Sequence, residues 1–335
     1  VIFIGSSDSH HVIRTFFEAC CDPYWNELTR GERGSKPRVY FAGDSIDNDS
    51  IQGLLQLLSA DRPANRHEVY SIGAVSLRSW DIPAGFDVVH RYLHQNFHST
   101  EKGFLLYECS PSPFSESNES YQIISALLPF TELGMLPAAT LGINIMELLA
   151  GASAVSKLFF STVGAENPIL RWVAWNQIAN IRSMAIWNPS LIAGARWHSH
   201  LTQRLGSVSN NPSDPWRFLD SSRVGLSDQD LGNCSHIWVD QTRYDALACE
   251  PGPTGDAVWD PNSDRPRRIS PVGPTGPTCP DIHRGIYQET LQRQSERAGL
   301  GVTLNLPDLG ELSLGQWMQW MIIASLLELA LAQDT

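Results

Sequence analysis

Four times in its first 110 residues the chain sets a short apolar run against a turn of small residues. Val1-Ile2-Phe3-Ile4 ends in Gly5-Ser6-Ser7, and Arg38-Val39-Tyr40-Phe41-Ala42 ends in Gly43-Asp44-Ser45. Glu68-Val69-Tyr70-Ser71-Ile72 ends in Gly73, and Phe104-Leu105-Leu106-Tyr107-Glu108 ends in Cys109-Ser110-Pro111. After the first two runs, apolar residues return at helical spacing, at Val12, Phe16, Phe17, Ala19 and Cys20 and again over Ile51 to Leu58. Runs of this length bounded by turn residues read as buried strands, and the spaced segments read as helices. Strands alternating with helices predict βαβ units and a parallel sheet, an α/β fold. In open sheets of this class ligands bind beyond the carboxyl ends of the strands. The turns are therefore the first places to search for function.

The remainder is read more coarsely. Tyr121 to Trp187 reads as mostly helical, and Ile286 to Ala298 and Leu314 to Ala332 read as two closing helices. Residues 206–280 are rich in Gly, Pro, Ser, Asp and Asn, with Pro251-Gly252-Pro253 and Gly273-Pro274-Thr275-Gly276-Pro277 as the strongest breakers. They are expected to form an irregular, loop-rich insertion in a single α/β domain spanning 1–335. Ile143–Phe159 is similar to the first motif of cytosine-C5 methyltransferases, but only Gly151 stands where that motif has a closely spaced glycine pair.

Composition excludes some classes. A net charge of −12 argues against a nucleic-acid binder that works by neutralising phosphate. The uncharged stretch Leu312 to Leu327 is short of the ~20 residues of a spanning helix and holds Gln316 and Gln319, so a buried or amphipathic helix is expected. The six cysteines include no C-x-x-C pair, which removes zinc-ribbon and thioredoxin-type motifs. The even cysteine count permits three disulfides, but a chain of this length does not require them. The chain opens on Val1 rather than Met, so a fragment or processed form is expected, compatible with a secretory or extracellular location. The composition does not address oligomeric state.

Arg38 to Leu58, RVYFAGDSIDNDSIQGLLQLL, places a serine hydroxyl in the sharp turn between a strand and a helix. Backbone N–H groups at that helix start suit an oxyanion. The stretch resembles the first block of the SGNH, or GDSL-type, hydrolases, especially their PC-esterase branch. The resemblance implies a three-layer α/β/α fold with a flavodoxin-like sheet. It also implies a serine esterase or acyltransferase acting on an ester-linked acyl group, on a small molecule or a glycan, with no cofactor. Ser45 would be the nucleophile, and Ser45 and Gly73 would supply the oxyanion donors. Asp281-Ile282-His283 stands where the family has D-x-x-H, one residue short, and would supply the base His283 and its orienter Asp281. The expected Asn after the fourth strand is absent, the chain reading Cys109-Ser110-Pro111-Ser112 there. Ser7 is an alternative nucleophile, in the same layout after the first strand. The plainer reading of the Gly-Asp-Ser turn is a helix cap.

One histidine group suggests a metal-dependent hydrolase instead. His198-Ser199-His200 would aim both imidazoles to one side of a strand, with His236 and one of Asp214, Asp220 or Asp240 as further ligands. His90, His94 and His98 share one helical face, but span too far to hold one ion. A catalytically inactive α/β protein is the third reading.

Overall fold

The computed structural model describes residues 1–5, 7–42, 47–60, 71–74, 88, 104–105, 128–208, 216–221, 226, 232–244, 246–247 and 278–333. They divide into two compact units. Unit 1 comprises Val1–Val173, Ser190–Pro215 and Gly310–Thr335, and unit 2 comprises Ala174–Pro189 and Trp216–Leu309.

Unit 1 carries a parallel sheet of β1 (Ile2–Gly5), β2 (Tyr40–Ala42), β3 (Ser71–Ala74) and β4 (Phe104–Leu105), in the order β2-β1-β3-β4. All four of the early strand expectations are met. Ile2 and Phe3 on central β1 are fully buried, as expected of a parallel strand covered on both faces. Helix α1 (Ser7–Cys20) buries Val12, Ile13, Phe16 and Ala19, a single stripe at helical spacing. Beyond it the Asn26 side chain pairs with both backbone groups of Val39, at 2.7 and 2.8 Å, and so fixes the approach to β2. Helix α2 (Asn48–Ala60) follows β2.

The helical part of unit 1 comprises α3 (Glu132–Leu141), α4 (Ile145–Ser161), the start of α5 (Pro168–Ile178), α6 (Ile192–Val208) and, at the chain's end, α8 (Glu311–Gln333). Asn144 caps α4 by accepting from the N–H groups of Met146 and Glu147. Helices α4 and α8 cross with backbones touching. A Cβ on Gly151 would lie 2.1 Å from the Leu312 carbonyl oxygen, and one on Gly315 would lie 2.1 Å from that of Leu148. Only glycine fits at either position. The methyltransferase-like turn at Gly151 is thereby corrected: the residue lies inside a continuous helix and serves helix packing. Among the described residues one helix, Glu311–Ala332, is long and apolar enough to cross a membrane by length and composition. It buries Leu314, Trp317, Met318, Met321 and Ala324, so no clear membrane span is present among these residues.

Unit 2 carries a second parallel sheet: β5 (Ser183–Ile186), β6 (Arg217–Asp220), β7 (Cys234–Val239) and β8 (Thr303–Leu306), in the order β6-β5-β7-β8. Two of these strands fall within residues 206–280, expected to be irregular. Five of the six residues of β7, Cys-Ser-His-Ile-Trp-Val, are buried, and Ser235 and His236 among them hide the strand from an apolar-run search. β5 sits in a segment read as helical, and β8 in the gap between the two closing helices. The earlier of those helices, α7, begins sooner than its apolar spacing suggests, at Cys279, and runs to Glu296. Thr278 caps it in a reciprocal box with Asp281, and Pro280 occupies its first turn.

Candidate functional site

In each sheet the chain moves from its first strand to one edge and then returns to the other side. The strand order therefore reverses between the first and third strands, the position at which open α/β sheets leave a crevice for ligands. In unit 2 that position lies between β5 and β7. Trp187 and Asn188 follow β5, and Asp240, Gln241 and Thr242 follow β7. These residues, with Trp238 and Val239 and with Pro280, His283 and Arg284 of α7, line a small crevice open to solvent.

The crevice has an aromatic wall. His283 and Tyr287 lie four residues apart and so share one face of α7. Tyr287 stacks on Trp238 with ring centroids 4.3 Å apart and planes 16° from parallel. His283 lies 5.1 Å from Trp238 and 5.8 Å from Trp187 by the same measure. The Tyr287 hydroxyl meets the Thr303 hydroxyl at 2.8 Å.

Around this wall the polar groups are few and oriented. The indole N–H of Trp238 donates to Asp240 Oδ1 at 3.1 Å. Arg284 adds the cation. The Nε2 of His283 is buried and has no hydrogen-bond partner among the described residues. Burial holds this imidazole below its ordinary value of 6.5, because the charged form loses solvation. His283 is thus a neutral imidazole facing a crevice, the state in which histidine accepts and returns protons near neutral pH.

Behind the wall His236 is buried. The Trp187 indole N–H donates to its Nδ1 at 3.2 Å, and its Nε2 meets Gln294 Oε1 at 2.8 Å. The Gln294 amide nitrogen donates in turn to the carbonyls of Gly232, Cys234 and Leu300. Burial lowers the pKa of His236, and the Gln294 contact partly opposes that.

Of the residues singled out from sequence, Ser45 lies outside the described residues, with Gly43 and Asp44 beside it. Ser7 is the first residue of α1, and Gly73 lies within β3, paired with Ile4. Asp281 Oδ2 accepts from the Thr278 N–H and hydroxyl, at 2.9 and 2.6 Å, as a helix cap. Those two bonds hold its carboxyl below the usual carboxylate range. Of the residues singled out from sequence, His283 and Asp240 line the crevice.

The histidine pair is corrected. His198 and His200 lie on helix α6 and not on a strand, so two residues of separation turn their side chains to different sides. His198 is buried with its Nε2 3.0 Å from the Ser325 hydroxyl, and the ring of His200 lies 4.7 Å from that of His11. No group of three or more His, Cys, Asp or Glu among the described residues could hold a metal ion. His90, His94, His98 and Asp214 lie outside the described residues.

Trp187, Trp238, Arg284 and Tyr287 were not anticipated, and Asp240 was expected only as a metal ligand. The available signal was the run His-Ile-Trp-Val-Asp ending at residue 240, together with His283 and Tyr287 one helical turn apart.

The site belongs to the class of ligand crevices at the carboxyl edge of an open parallel sheet. No protein-family model matches the chain. A glucose-6-phosphate isomerase of Bacillus cereus (strain AH187) is 22% identical over 339 aligned positions, covering 94% of this chain and 71% of that protein. A glucose-6-phosphate isomerase of Caldanaerobacter subterraneus subsp. tengcongensis is 24% identical over 218 positions, covering 60% of this chain. The chain spans only 47% of that second relative. A crystal structure of a hypothetical protein from Thermus thermophilus superposes with a TM-score of 0.68 at 14% identity, covering 99% of this chain and 78% of the other. That likeness shows the fold alone.

These relatives overturn the SGNH, GDSL-type reading, and with it the serine esterase or acyltransferase and the metal-dependent hydrolase. Proteins similar along nearly the whole chain are named as isomerases of a sugar phosphate. The misleading signal has a physical origin. A strand, a small-residue turn and a helix recur in any open α/β sheet, so Gly-Asp-Ser in such a turn reports the fold and not the chemistry.

Proposed function

We propose that the chain binds a sugar phosphate of the kind its relatives are named for, glucose 6-phosphate, in the crevice between β5 and β7, and that His283 exchanges a proton with it. The observation that carries this reading is His283, an imidazole kept neutral by partial burial, in the lining of the crevice at the switch point of a parallel sheet. Isomerising a sugar phosphate moves protons between neighbouring oxygen and carbon atoms. A neutral imidazole able to accept and return one is suited to that chemistry.

The rest of the lining supports the same ligand. Asp240, held by Trp238, accepts hydrogen bonds from hydroxyls. Arg284 offers a guanidinium to the phosphate. The first turn of α7 is less available to an anion, because the Asp281 carboxylate already occupies it.

Titration calorimetry with glucose 6-phosphate, glucose and inorganic phosphate tests the assignment, with ³¹P NMR following any isomerisation of the first. Glucose 6-phosphate is expected to bind more tightly than either fragment. His283→Ala is expected to weaken it about tenfold, the loss of one good hydrogen bond, and to abolish turnover. Absence of binding by the parent chain, or equal binding by His283→Ala and the parent, would overturn the assignment.

A further inference from the structure

We propose that His236 is a positioning residue: its imidazole accepts the indole N–H of Trp187 and so holds that ring against His283. The proposal deepens the preceding reading, in that it explains what keeps the crevice histidine in its working state. It rests on a chain of buried contacts. Trp187 is 0% exposed, His236 1% and Gln294 4%. Because Nδ1 of His236 accepts from Trp187, its proton resides on Nε2, which donates to Gln294 Oε1. Gln294 is fixed by three backbone carbonyls, so the imidazole cannot rotate without breaking bonds at both ends. The indole held in this way sits 5.8 Å from His283 and 5.1 Å from Tyr287, and with Trp238 it covers part of the His283 ring.

The other titratable groups around His283 are Asp240 beyond β7 and Asp281, Arg284 and Tyr287 on its own helix. Desolvation is the cause that sets its titration below 6.5. Release of Trp187 therefore shifts His283 upward, toward its ordinary value.

The experiment is NMR on the full chain without ligand, following the Trp187 indole N–H and the titration of the His283 ring. His236→Asn places an amide oxygen near the position of Nδ1 and keeps the acceptor for Trp187. His236→Gln places its amide near the position of Nε2, keeps the contact to Gln294 and leaves Trp187 without an acceptor. The expected result is a parent-like indole signal and His283 titration in His236→Asn. In His236→Gln the indole signal is expected to shift upfield and exchange rapidly, with His283 titrating closer to 6.5. Should His236→Gln fail to fold, His236→Leu removes the acceptor for Trp187 at a similar side-chain volume and is expected to move the His283 titration in the same direction. An unchanged His283 titration in whichever of these two variants folds overturns the proposal. Since no sugar phosphate is present, that outcome leaves the ligand assignment standing. A failure of glucose 6-phosphate to bind would likewise leave this result intact.

Discussion

The two sheets are built on one plan. Each has four parallel strands, and in each the second strand of the chain lies outside the first, with the third and fourth on the other side. Their carboxyl edges differ. In unit 1 the described strand ends are small, Gly5 at the end of β1 and Gly73-Ala74 at the end of β3. In unit 2 the same topological positions carry Trp187-Asn188 and Trp238-Val239-Asp240, and a capped helix brings His283 to them. One topology thus supports two different edges. The fold locates where a ligand can sit, and the residues just past the strands decide which ligand.

Both units also bury a neutral histidine, and acid should expose the difference between them. His198 of unit 1 has its pKa pushed down to about 3 by burial alone. The Ser325 hydroxyl donates to the Met321 carbonyl, so Ser325 receives the Nε2 proton of His198. The unfolded chain takes up a proton at this residue near pH 6.5, whereas the folded one does not until about pH 3. Stability is therefore fully present above 6.5 and falls as the pH drops through that window. The loss is roughly 1.4 kcal/mol per pH unit and on the order of 5 kcal/mol in all. Urea melts between pH 7 and pH 4 check this, with His198→Leu expected to flatten the slope. His236 of unit 2 is shifted in the same direction, but its bond to Gln294 opposes the shift, so His236→Asn should flatten the slope less. Equal slopes in the parent and both variants would remove the distinction.

The next effect concerns close backbone approach. Gly315 in unit 1 faces the carbonyl of Leu148, and Gly301 in unit 2 faces that of Cys234 at 2.0 Å from a Cβ built there. Gly315→Ala and Gly301→Ala are each expected to cost about 3 kcal/mol by overpacking. Thermal melts followed by circular dichroism check both. Only Gly301→Ala, which disturbs the strand beside β7, should also perturb tryptophan fluorescence from the crevice.

The smallest effect compares the caps. Asn144→Ala in α4 and Thr278→Ala in α7 are each expected to cost about 1 kcal/mol. The two should separate in ligand affinity, since Thr278 sets the start of the helix carrying His283 and Asn144 does not. Equal affinity in the two variants would dissociate the cap from the crevice.

Much of unit 1 was legible in the chain. Strands β1 and β2 are apolar runs ended by Gly or Gly-Asp-Ser, and α1 repeats large apolar residues at helical spacing, so local pattern and burial agree. Unit 2 was largely hidden. Strands β5 and β8 are four residues long, and β7 buries Ser235 and His236, which makes it look polar. His-x-His was misread because two residues of spacing mean one face on a strand and different sides on a helix, and only the long-range packing of α6 chose the helix. His283 was singled out from sequence, but as the base of a serine triad. Its present surroundings, Trp187 and Trp238, come from strands that had not been recognised.

By itself, the sequence determined the α/β class, the parallel strands of unit 1 and the turns in which chemistry should be sought. These depend on the period of apolar residues and on where glycine or proline interrupts it, both local properties of the chain. Tertiary structure alone decided which turns form a site. Trp187, Asp240 and His283 stand 53 and 43 residues apart along the chain, and no spacing rule joins them. They meet because β5 and β7 pair in parallel and α7 is capped at Thr278. Strand order and helix position are settled by burying both faces of the sheet at once, a condition no short window of sequence contains.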